Sequence, residues 1–140
     1  MSRKILVIVS YGSSMNDEVR RIAKSVHRWA LRHRRKFSGL FINSDLAGMC
    51  AIASWELFKR LKAAGYNPLV CLNSYHAFVQ LGRYIIDVTS KQFGKRAIEI
   101  RHIRNRDIPF WAIEKTADSK KSMKIAQKNW KKYQKHFDIR

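Results

Sequence analysis

Cys50, His76 and Asp87 are the residue types from which a thiol nucleophile is assembled. A cysteine attacks a carbonyl as its thiolate, so it needs a helix N-terminus, a neighbouring base or both to favour the anion. An imidazole serves as that base when a third group, commonly a carboxylate, fixes its tautomer and orientation. In "SDLAGMCAIASWELFKRLKAAG" the cysteine falls in the first turn or two of an expected helix, just after the small residues Ala47 and Gly48. The same position lies on the helix's apolar stripe, which suits an unreactive core thiol equally well. Cys71, inside "LVCL", reads as strand core.

The histidine and the aspartate are brought together by a hairpin in "YHAFVQLGRYIIDVTS". With Gly82 and Arg83 as a two-residue turn, Leu81 faces Tyr84, Phe78 faces Asp87 and His76 faces Thr89. Alternation then places His76, Phe78, Asp87 and Thr89 on one face, with His76 and Asp87 diagonal neighbours. A slip of one residue would send them to opposite faces. Asp87 sits among Ile85, Ile86 and Val88, so an inward carboxylate requires a partner, and His76 supplies one whether or not any chemistry follows.

The elements that must carry these residues follow from periodicity. "KILVIVS" reads as a buried strand, and Ser13, Ser14, Asn16 and Asp17 offer caps for a helix over Asp17 to Lys36. Val19, Ile22, Ala23, Val26, Trp29 and Ala30 form its apolar side, against a cationic side of Arg20, Arg21, Lys24, Arg28, Arg32 and Arg35. After a loop ending in Ser44 and Asp45, a second helix spans Leu46 to Ala64, with Leu46, Cys50, Ala53, Leu57, Leu61 and Ala64 on one stripe, and stops at Gly65. "LVCLNSYHAFVQL" is a strand region interruptible at Asn73 and Ser74; "YIIDVTS" and Ala97 to Ile103 are further strands. "RNRDIPFWAIEK" is a connection, and residues 118–137 form a basic terminal helix docking through Met123, Ala126, Trp130, Tyr133 and Phe137. The expected fold is one α/β (α+β) domain over residues 1–140, with three to five largely antiparallel strands and the cysteine helix packed on them.

"YHAFVQLGRYIIDVTSKQF" resembles the His–Asp segment of the transglutaminase-like branch of the papain-like thiol enzymes. The matching positions are His76, Ala77, Phe78 and Val79, then Gly82, then Asp87 and Thr89, with the Cys50 helix ahead of them. Ala51 follows the cysteine where Trp is frequent in that family, and Trp55 lies one helical turn on. The resemblance implies a papain-like core, a Cys50–His76–Asp87 triad, and hydrolysis or acyl transfer at a peptide, isopeptide or glutamine side chain. In such a site the Cys50 N–H and a second donor stabilise the oxyanion. Asn43, ahead of the helix, and Gln92 are the side-chain candidates for the second donor.

Charge points to a second class of function. The 140 residues contain 29 Lys and Arg against 10 Asp and Glu, a formal net charge of +19, which draws polyanions: nucleic acid, acidic protein or anionic lipid. Arg20, Arg28, Arg32, Lys121, Lys128 and Lys132 are the expected polyanion contacts. The alternative to a thiol enzyme is therefore a basic module that binds nucleic acid or a host protein without catalysis. A glycine-rich phosphate loop, a Cys-x-x-Cys pair and a His-Glu-x-x-His helix are all missing, and His27, His33, His102 and His136 have no carboxylate cluster nearby in sequence. No metal and no cofactor are expected. The opening segment has no secretory cleavage pattern and no apolar run reaches membrane-spanning length, so a cytoplasmic monomer is expected.

Overall fold

The structure, a computed structural model, describes residues 16–37, 50–73, 76–89, 98–102 and 111–126. The expected strand "KILVIVS", the 46–49 start of the cysteine helix, Asn43, Gln92, Lys128, Lys132 and the end of the terminal helix lie outside these residues.

Helix α1 (Asp17–Phe37) begins where the Asn16 Oδ1 accepts the Val19 N–H at 2.9 Å, with Asp17 and Glu18 favourably placed in its first turn. Val19, Ala23, Val26 and Ala30 are buried, while Arg20, Lys24, Arg28 and Arg32 are exposed, which is the two-sided helix that the spacing predicts. Helix α2 (Cys50–Ala63) ends in paired bonds from Tyr66 N–H to Leu61 C=O and Gly65 N–H to Lys62 C=O, each 3.0 Å. This Schellman closure requires left-handed backbone at residue 65, and Gly65 supplies it with φ 95°.

Five strands form one antiparallel sheet in the order β4-β3-β2-β1-β5: β1 (Leu69–Leu72), β2 (Ala77–Leu81), β3 (Tyr84–Asp87), β4 (Glu99–His102) and β5 (Lys115–Ala117). The fold is mixed α and β. Leu81 pairs with Tyr84 across Gly82 and Arg83, so the hairpin has the expected register. Gly82 has φ 59° and no described non-glycine residue has positive φ, which is the primed turn that matches strand twist.

Two elements depart from expectation. The run read as a single interruptible strand is the β1–β2 hairpin: Leu72 pairs with Ala77, the Asn73 N–H donates to His76 C=O at 3.0 Å, and the His76 N–H donates to Asn73 Oδ1 at 2.9 Å. Asn73 folds the chain back because its side chain closes the turn that its backbone opens. The end of the connection, Lys115, starts strand β5, which continues through Ala117 and pairs Val70 to Ala117 along the other edge of β1. Beyond it, α3 (residues 120–126) is capped by Ser119, whose Oγ accepts the Ser122 N–H at 3.1 Å, and it buries Met123 and Ala126.

Alternation gives the sheet two faces. Val70, Leu72, Val79, Leu81 and Ile86 join a large core with both long helices. Cys71, Phe78, Ile85 and Trp111 form a smaller apolar cluster. Helix α2 contacts α1 as well as β1 and β2, and so buries Ala51, Ile52, Ser54, Trp55 and Phe58 in addition to Cys50, Ala53, Leu57 and Leu61 of its expected stripe; Ala64 is half-buried. No helix among the described residues is long and apolar enough to cross a membrane.

Candidate thiol site

Asp87, the last residue of β3, lies on the face that carries Phe78 and Ile85 and is buried. Its carboxylate accepts from the protein. His76 Nε2 donates to Oδ2 at 2.6 Å, Trp111 Nε1 donates to Oδ2 at 2.9 Å, and the Thr89 N–H donates to Oδ1 at 3.0 Å, with the Thr89 hydroxyl at 3.4 Å. A carboxylate can only accept, so the His76 proton sits on Nε2 in the neutral ring. That leaves Nδ1 to exchange a proton with another group.

Helix α2 carries the thiol of Cys50, its first described residue, close enough to the imidazole to raise the His76 pKa. Burial on its own favours neutral His76, but the Asp87 charge and hydrogen bond, followed by those of Cys50, outweigh it and raise the pKa well above 6.5. Cys50, His76 and Asp87 are 3%, 0% and 1% exposed, so these interactions act with little screening by solvent. Cys71 differs: burial pushes its thiol up to about 12, and it packs with Phe78, Ile85 and Trp111.

Neighbouring groups stiffen the site. Asp87 lies opposite Glu99 in the β3–β4 register, a like-charge pairing offset by Arg101, whose Nε donates to Glu99 Oε1 at 3.1 Å. The Arg101 guanidinium also lies 4.8 Å from the centroid of the Trp111 ring. His27 Nδ1–H donates to Val88 C=O at 2.9 Å, tying α1 to the residue after Asp87.

No family model, curated protein or solved structure matches the chain. The site therefore rests on its own geometry.

Of the residues singled out by the sequence, Cys50, His76 and Asp87 converge. Arg20, Arg28, Arg32 and Lys121 are exposed on the helices. Trp111 is the neighbour of Asp87 that the sequence did not point to, because it lies in a stretch read as a connection. Its signal was Asp87 itself, since a buried carboxylate has room for more donors than one imidazole. Among the described residues, one surface cavity of about 260 Å³ is lined by Lys115, Thr116, Ser122, Ile125 and Ala126, and another of about 290 Å³ by Arg20, Lys24, Ile98, Glu99 and Ile100. Neither is lined by Cys50, His76 or Asp87. Among the described residues no group of three His, Cys, Asp or Glu side chains is arranged to hold a metal ion.

Proposed function

We propose that this chain is a thiol-dependent hydrolase or acyltransferase acting on an amide-like bond, with Cys50 as nucleophile, His76 as base and acid, and Asp87 as the group that orients the ring. The observation that carries the reading is the buried 2.6 Å His76–Asp87 bond, with Cys50 near enough to raise the pKa of the same imidazole. The cysteine helix packed on an antiparallel sheet supports a transglutaminase-like core. In the reaction, the proton that Cys50 gives up is held on His76 Nδ1, and Cys50 Sγ bonds to the carbonyl carbon. The tetrahedral intermediate collapses with cleavage of the C–N bond, and His76 returns the proton to the leaving amine. Water or an amine then attacks the thioester, gives its proton to His76, and releases Cys50. The Cys50 N–H is the backbone donor assigned to the oxyanion in this reading.

The test is alkylation of the folded protein by iodoacetamide across pH, with the labelled cysteine located by peptide mass. Selective labelling of Cys50 over Cys71, abolished in His76→Ala, is the expected result. Equally slow labelling of both thiols would overturn the reading.

A second reading has its own observation. Arg20, Lys24, Arg28 and Arg32 are exposed at four-residue spacing along α1, and the apolar side of that helix is occupied by the core. Such a row favours electrostatic contact with nucleic acid.

A further inference from the structure

Trp111 is fully buried, and its ring packs with Cys71, Phe78 and Ile85 on one face of the sheet. A buried indole N–H needs an acceptor, and this one uses Asp87 Oδ2, the same oxygen that accepts from His76 Nε2. The other oxygen is engaged by Thr89, only two residues from Asp87. A carboxylate has about four lone-pair sites, and four donors occupy them here. Thr89 travels with Asp87, so it cannot hold the carboxylate against rotation relative to the imidazole. Trp111 comes from a separate part of the chain, is clamped by apolar contacts, and has Arg101 against its ring.

We propose that Trp111 is a positioning residue for the thiol site: its N–H aims Asp87 Oδ2 at His76 Nε2 and thereby keeps Nδ1 turned to Cys50. This role rests on the thiol-enzyme reading above. Among the described residues, Glu99 and Arg101 from β4, Cys71 from β1 and Cys50 from α2 also lie around the pair and Trp111, and none is a further donor to Oδ2 in the bonds described.

The test compares Cys50 alkylation rates in the wild type, Trp111→Phe, Asp87→Asn and the double variant, with Cys71 in the same protein reporting core integrity. Trp111→Phe keeps the ring and removes the donor, so Cys50 should react about tenfold more slowly, the scale of one hydrogen bond to a charged group. Its pH profile should shift, and in the Asp87→Asn background the same change should have little further effect. An unchanged rate in the wild-type background, or equal slowing in both backgrounds, would overturn the role. Should Trp111→Phe expose Cys71 to labelling, the unmodified protein decides by NMR. The Trp111 indole N–H resonance should follow the titration of His76, and a resonance unmoved through that titration rejects the proposal. If His76→Ala and Asp87→Asn also leave Cys50 reactivity unchanged, the thiol reading itself falls; if they slow it and Trp111→Phe does not, the positioning role alone falls.

Discussion

Asp87 gathers donors from three directions, and the cost of removing it is correspondingly large. Asp87→Ala leaves His76 Nε2, Trp111 Nε1 and the Thr89 N–H buried without this acceptor. A loss of roughly 3–5 kcal/mol is expected, the scale of breaking a buried pair from one side, and urea unfolding measures it. The pair also makes stability depend on pH. His76 has a folded pKa raised above its unfolded value, so its contribution is fully present below about pH 6.5 and is lost as pH rises through the raised value. The stability difference between wild type and Asp87→Asn should therefore shrink steadily as unfolding is measured at increasing pH above that point. The His–Asp pair was legible in the sequence because a two-residue turn leaves one register, and that register decides which side chains share a face. Trp111 was not legible, since a residue far along the chain can cover either face of a sheet and local pattern does not choose between them.

At the scale of elements, the helices owe their ends to single residues. Asn16 caps α1 and its Nδ2 also donates to the Tyr66 hydroxyl at 3.2 Å, linking that helix start to the residue just after the turn that ends α2. Asn16→Ala should cost about 1 kcal/mol in chemical denaturation. Gly65→Ala forces a Cβ into left-handed backbone and should cost about 1–2 kcal/mol in the same measurement. Both ends were readable, from an Asn ahead of an apolar period and a Gly after one. The β1–β2 hairpin was harder, because "LVCLNSYHAFVQL" is apolar on both sides of Asn73 and alternation continues through the turn. Strand β5 was hidden for another reason: its three residues, Lys115 to Ala117, are too few to establish a period, and only pairing with β1 makes them a strand.

For the whole molecule, a net charge of +19 and the row on α1 give a salt-dependent prediction. Successive cations of the row are about 6 Å apart along the helix axis. Four phosphate contacts through Arg20, Lys24, Arg28 and Arg32 would make log binding constant fall with log salt at a slope of about −3.6 on duplex DNA. Titration of mixed-sequence DNA from low to moderate salt measures the slope, and Lys24→Glu with Arg28→Glu should roughly halve it while leaving Cys50 alkylation unchanged. The hairpin that joins His76 to Asp87 carries a different consequence, for the order of assembly. These two residues are 11 positions apart, so their contact closes a short loop, and hairpins of this kind form within microseconds. Cys50 arrives only when α2 docks, and Trp111 only when a segment 24 residues beyond Asp87 returns to the sheet. The folding chain thus forms the His76–Asp87 pair before Cys50 is in place. An electrophile supplied during refolding should spare Cys50 from selective attack until the last of these contacts forms, which makes its reactivity a clock for the completion of the fold.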